Sequence, residues 1–436
     1  MVRVRSLLSG LHLLLLAASG LAQTPAELAA KIKALPRVSD VRIVGQAGNE
    51  TLDITFLQPV DHRVPEVVAP GKAKFEQHVF LLHTGFDKPV ILGTEGYSAS
   101  RPVGGELRRM LGTPNLLTVE HRYFGRSIPN PCVWPQLTVK NAADDLHEIV
   151  KTFKKLYTGK WVSTGASKGG QTALYFKCYY PNDVDATVAY VAPINLHQED
   201  PRINLWMETV GDETTRIKIK DFQIALLKRE DEVLPLLKAD PKQYSMGVAK
   251  AYEYGVLEYP YAYWQYGSNN VRDYSIPLPD APAQELADAY KRVNAMYYYS
   301  DAGIKQFEAF QYQAFTEVGY YNYDITDFKP YLKANPNPTN MDLCPPGTKD
   351  KIVYNPATMA FVFHCLQYEA QNVVFIYGET DAWSATQMHL IGRTNAVKIV
   401  VKGAWHNASV RLAAPEQKDQ FFAAMEKWLG MKLVRD

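Results

Sequence analysis

Gly165-Ala166-Ser167-Lys168-Gly169 sets one hydroxyl between two residues that lack side chains. This is the pattern G-x-S-x-G, which places a serine on a tight strand-to-helix turn with its oxygen exposed. A serine hydroxyl is a weak nucleophile near neutral pH, so chemistry at Ser167 requires a histidine to take its proton and a carboxylate to fix that histidine's tautomer. In such turns the partners follow in the chain order Ser, Asp or Glu, His. Two late segments satisfy the order: VVFIYGETDAW carries Asp381 just past Gly378, and KIVVKGAWHNAS carries His406. Glu379 is the rival acid, and His389, expected on a helix face, is the rival base. The negative charge that develops during acyl transfer needs two backbone N–H donors. Lys168, directly after the serine, supplies one, and Gly96 or Tyr97 in the loop of VILGTEGYSAS supplies the other.

These groups need a sheet to carry them. Short β-branched or aromatic runs recur as LDITFLQPV, EQHVFLLHT, KPVILGT, NLLTVEHRYF, KWVSTG and ATVAYVAP, and each reads as a strand. Between the fourth and fifth, LTVKNAADDLHEIVKTFKKLY repeats apolar residues three and four apart, the period of an amphipathic helix. A second helix is expected from Ser167 to Pro181. The alternation predicts a mostly parallel sheet with helices on both faces. Together with the serine turn, it gives an α/β-hydrolase fold.

From 197 to 371 the pattern changes to long, charged, tyrosine-rich helical segments, read as a large helical lid insertion. Strand signals then return, and EQKDQFFAAMEKWLGM closes the chain as a helix. The expected organisation is hydrolase domain over 23–196, lid over 197–371 and hydrolase domain again over 372–436.

The 436 residues are 47% hydrophobic, with 47 basic and 46 acidic side chains for a net charge of +1. No electrostatic footprint for nucleic acid or anionic lipid follows from that balance. Residues 1–22 combine two arginines, a leucine-rich stretch and small residues at Gly20 and Ala22, the features of a secretory leader too short to serve readily as a membrane span. Export is the expectation, to the periplasm or beyond. Four cysteines in an exported chain allow up to two disulfides, and Cys344 with Cys365, the closest two in sequence, is the first pairing expected. No H-E-x-x-H or C-x-x-C pair exists, so neither metal nor cofactor is expected.

WVSTGASKGGQTALYFKCYYPNDVDATVAYVAP, LTVEHRYFGRSIPNP and WPQLTVKNAADDLHEI resemble the bacterial prolyl tri- and tetrapeptidyl aminopeptidases. More distantly, EHRYFG and the EG of TEGY resemble the lysosomal Pro-X carboxypeptidases and related dipeptidyl peptidases. The resemblance implies an exported serine exopeptidase that removes short peptides after proline, with Ser167 as nucleophile, Asp381 as acid and His406 as base. Its substrates would be peptides with a free N-terminus. Such an enzyme must hold an ammonium group, for which Glu95 in TEGY and Glu317 in AFTEVGYYNY are the candidates, bracing of Arg122 being the other use for Glu95. A lidded carboxylic-ester hydrolase with the same triad is the second reading.

Overall fold

The computed structural model describes residues 24–63, 73–266, 276–293 and 295–435; the expected leader lies outside them. The β-branched runs form one nine-stranded sheet. Its strands are β1 (Val38–Val44), β2 (Thr51–Pro59), β3 (Lys74–Leu82), β4 (Val90–Thr94), β5 (Asn115–Val119), β6 (Trp161–Ala166), β7 (Ala186–Tyr190), β8 (Val373–Gly378) and β9 (Val397–Val401). They lie in the order β1-β2-β3-β5-β4-β6-β7-β8-β9. The pairings from β1 through β3 to β5 are antiparallel, and those from β5 through β4 to β9 are parallel. β4, β5 and β8 are buried at every position, which is why they read as continuous apolar runs without alternation.

Helices cover both faces. α1 (Pro25–Lys33) and α3 (Val139–Phe153) pack Ile32, Ile149, Val150 and Phe153 against Leu92 and Leu117 on one side. α2 (Leu107–Met110) and α12 (Pro415–Leu429) pack Leu107, Phe421 and Met425 against Ile91, Val188 and Ile376 on the other. Thr138 starts α3 by accepting from the Asn141 N–H, an N-cap that satisfies one orphaned donor. The helix begins inside the expected stretch and stops at Phe153. α4 (Lys168–Tyr179) follows β6 as expected.

Between β7 and β8 the chain leaves the sheet through α5 (Pro201–Met207), α6 (Glu213–Lys228), α7 (Glu230–Leu237), α8 (Val248–Tyr266), α9 (Ala283–Val293) and α10 (Asp301–Gln313). These helices share a tyrosine-rich core of their own, which also takes in Ala382 and Trp383 from the loop after β8. α11 (Pro356–Tyr368), counted with the lid on sequence grounds, behaves differently. Its Met359, Val362 and Leu366 pack with Leu174 of α4 and Phe375 of β8 in a core beneath the sheet.

That placement also corrects the cysteine pairing. Cys365 of α11 is bonded to Cys178 of α4, with Cα atoms 5.9 Å apart, and not to Cys344. Sequence proximity misled because Cys344 belongs to the core of the inserted helices, whereas Cys365 lies on a helix that returns to the sheet. Cys344 is a buried free thiol and Cys132 an exposed one.

Candidate active site

β6 ends at Ala166 and α4 begins at Lys168, leaving Ser167 alone in the turn. Its backbone is left-handed, with φ 54° and ψ −126°, a region that costs a non-glycine residue about 1–3 kcal/mol and persists only where the surroundings enforce it. The enforcement is visible. A Cβ on Gly165 would sit 2.4 Å from the Gly169 carbonyl and 2.5 Å from the Thr94 oxygen, and one on Gly169 would sit 2.6 Å from that same oxygen. Thr94 Oγ1 donates to the carbonyls of Thr164 (3.1 Å) and Gly169 (2.9 Å), and the Ser167 N–H donates to the Tyr190 carbonyl at 2.9 Å. Both glycines of the motif thus answer to the approach of strand, helix and β4.

Asp381 lies three residues past β8 and is fully buried. Its Oδ2 meets His406 Nδ1 at 2.8 Å and its Oδ1 accepts the Trp383 N–H at 3.2 Å. His406 follows β9, and its own N–H donates to the Gln265 carbonyl of α8 at 3.2 Å. Ser167, Asp381 and His406 therefore all sit beyond the carboxyl ends of parallel strands, at one rim of the sheet, where ligands bind in open α/β folds. The rivals are occupied or remote. Glu379 accepts the Gly403 N–H at 2.7 Å and closes the turn after β9; His389 is exposed and lies in a loop, not on the helix expected for it.

As the first residue of α4, Lys168 has an N–H with no acceptor inside the helix, and the helix N-terminus favours negative charge there. Beside it Gly96 approaches so closely that a Cβ would lie 2.5 Å from Lys168 Cβ. The loop of Gly96 and Tyr97 is held by EHRYFG: the His121 N–H donates to the Tyr97 carbonyl at 3.2 Å, and Glu120 Oε1 accepts the Ala99 N–H at 3.0 Å. Glu120 Oε2 also accepts from Ser127 Oγ (2.6 Å) and the Arg126 N–H (2.9 Å). Arg122 is fully buried and grips Asp145 through Nε and Nη2 at 2.6 and 2.8 Å. Burial pushes the Asp145 carboxyl up, and Arg122 with His62 more than reverses this, leaving it below the usual range.

Ser167 and Lys168 open into a cavity of about 320 Å³ that the inserted helices roof, with Tyr97, Tyr266, Phe307, Phe310, Tyr320 and Trp383 among its walls. The Lys168 amine lies 5.2 Å from the centre of the Phe124 ring and 5.8 Å from that of Tyr97, and burial lowers its pKa to about 7. Neither expected ammonium-binding carboxylate lines this space. Glu317 accepts the Val139 N–H at 2.6 Å and the Thr358 hydroxyl at 3.0 Å, so it ties α3 to α11. Glu95 borders a separate void of about 10 Å³ beside Glu120, Arg122 and Asp145. A glutamate that the sequence did not single out, Glu258 of α8, does line the cavity. The only hint of it in sequence is a lone acid in the aromatic run YGVLEYPYAYW.

A serine on this elbow, with an aspartate–histidine couple at the same rim of such a sheet, defines a serine hydrolase of the α/β-hydrolase fold. The chain belongs to the PS-10 peptidase S37 family, whose model it matches over residues 24–435, and it is accordingly a serine peptidase. It is 31% identical over 435 residues to a prolyl tri/tetrapeptidyl aminopeptidase of Streptomyces mobaraensis, covering 95% of this chain and 87% of that one. Human lysosomal Pro-X carboxypeptidase is 30% identical over 125 residues, 26% of this chain and 24% of its own. A solved proline iminopeptidase of Mycobacterium smegmatis covers 90% of this chain and 98% of its own at 13% identity and a TM-score of 0.35, too loose a likeness to carry function. No described helix is long and apolar enough to cross a membrane.

Proposed function

We propose that the protein is an exported exopeptidase that releases tri- or tetrapeptides ending in proline from free N-termini, through an acyl-enzyme on Ser167. One observation carries the reading: the strained Ser167 opens into an aromatic, roofed cavity at the rim that also holds the Asp381–His406 couple. In this reading Ser167 Oγ attacks the carbonyl of the prolyl residue while His406 takes its proton through Nε2, since Nδ1 is engaged by Asp381. The N–H groups of Lys168 and of Gly96 or Tyr97 receive the oxyanion. The peptide C–N bond then breaks, His406 returns the proton to the departing amine, and water cleaves the ester by the same steps in reverse. Tyr320 and Trp383 stack with centroids 5.7 Å apart, and such flat apolar faces suit a proline ring. Export rests on the leader expected at residues 1–22.

The test is a panel of fluorogenic peptides of two to five residues, with and without proline before the scissile bond. Wild type is expected to favour prolyl tri- and tetrapeptides over short acyl esters, and Ser167→Ala to lose on the order of 10³-fold or more in kcat. Full activity in the alanine variant, or a preference for esters, would overturn the reading.

A further inference from the structure

Glu258 is a carboxylate whose two oxygens face different worlds. Oε2 is ringed by three phenolic hydroxyls, Tyr321 at 2.5 Å, Tyr323 at 2.9 Å and Tyr299 at 3.4 Å, the last two also bonded to each other at 2.5 Å. Oε1 accepts from none of the described residues, and the side chain lines the cavity that holds Ser167. Among the described residues, the groups recorded as interacting with its charge are tyrosines: besides the three phenols at Oε2, Tyr261, Tyr266, Tyr298 and Tyr320 feel its field. Among the described residues no Lys, Arg or His pairs with it, and the one lysine on the cavity wall, Lys168, points its amine at the Phe124 and Tyr97 rings.

A half-buried carboxylate with one oxygen saturated, one oxygen open to a ligand cavity and no cation beside it is short of a positive partner. We propose that Glu258 binds the α-ammonium group of the substrate peptide through Oε1, while Tyr299, Tyr321 and Tyr323 hold Oε2 and fix the carboxylate's direction. The proposal rests on the peptidase reading above and makes α8 of the inserted helices the element that counts residues from the N-terminus to Ser167. The surrounding phenyl rings add a negative π face on which a cation also settles. Burial raises the Glu258 carboxyl to about 7, against the pull of the three phenols, so an arriving ammonium would relieve an existing strain on the charge.

The experiment has two arms. In the turnover arm, coumarin amides of Ala-Ala-Pro with a free or acetylated amino terminus are compared in wild type and Glu258→Gln. In the affinity arm, the same two Ala-Ala-Pro peptides as free acids are titrated calorimetrically into Ser167→Ala and Ser167→Ala/Glu258→Gln, with thermal melting to verify folding. Glu258→Gln is expected to lower kcat/KM and affinity for the free amine about 10- to 100-fold, and to leave the acetylated peptide within about threefold. Equal losses for both peptides, or no loss for the free amine, would overturn the assignment. If peptides bind with the expected amine preference but only esters turn over, the anchor stands and the peptidase reading fails. Should Glu258→Gln not fold, the wild-type pH profile decides. The free-amine preference must rise as Glu258 ionises near 7 and fall as the substrate amine deprotonates near 8, and a flat ratio from pH 5 to 9 would sink the proposal.

Discussion

At the residue scale, the Asp381–His406 contact makes a prediction that separates the two adjacent acids. Asp381→Asn keeps the shape but presents the wrong partner to Nδ1, so kcat is expected to fall roughly 10³–10⁴-fold with little change in KM. Glu379→Ala removes the acceptor of the Gly403 N–H, and should leave kcat within about threefold while lowering the melting temperature slightly. Steady-state kinetics on one prolyl substrate checks both, and a reversed pattern would move the acid to Glu379. Legibility at this scale followed locality. Ser167, Asp381 and His406 each stand next to a strand end marked by glycine, which a sequence displays. Glu258 could not be found that way, because its phenolic partners lie 41 to 65 residues further along the chain and its helix is aromatic throughout. Glu317 misled for the opposite reason: a carboxylate in an aromatic segment reads alike whether it faces a ligand or two donors of its own chain.

At the element scale, the loop after β5 braces the Gly96–Tyr97 loop that lies against Lys168. Arg122 anchors it, bonding Asp145 twice and donating to the carbonyls of Pro59, Val60 and Gln136. Arg122→Ala would leave the buried Asp145 carboxylate with His62 in place of the doubly bonded guanidinium, at a cost of about 3 kcal/mol, measurable by urea unfolding. The sign of the acid response follows from the depressed pKa of Asp145. Its ion pair contributes fully above the unfolded-state value of about 3.9 and is lost as pH falls through the lower folded value. Wild-type stability is therefore expected to include a contribution that fades below pH ~4 and is smaller in Arg122→Ala, where His62 remains as a partner; an unchanged acid slope in the variant would contradict this. The helix α3 was legible because its periodicity is written in consecutive residues, and α4 because it lies between the serine turn and Pro181. α11 was not separable from the inserted helices, since its membership of the sheet's core depends on contacts with α4 and β8 that no local pattern records.

At the scale of the whole molecule, two bodies of packing meet at the cavity: the layered sheet below and the tyrosine-rich helices above, joined through Trp383 and the His406–Gln265 backbone bond. The Cys178–Cys365 bond spans 187 residues of chain, and closing so long a loop is worth about 2–5 kcal/mol through the unfolded state. Cys178→Ala, combined with Cys365→Ala so that neither partner is left as a thiol, is expected to lower stability by that amount, read by denaturant unfolding; an unchanged midpoint would show the crosslink to be energetically idle. The same bond encloses every inserted helix from α5 to α10, since both of its ends sit on helices packed against the sheet. A single backbone cut anywhere on the roof would thus leave the two fragments covalently joined and migrating as one band until a reductant is added. That tether would hold the two halves of a nicked molecule together at the high effective concentration that reassembly needs.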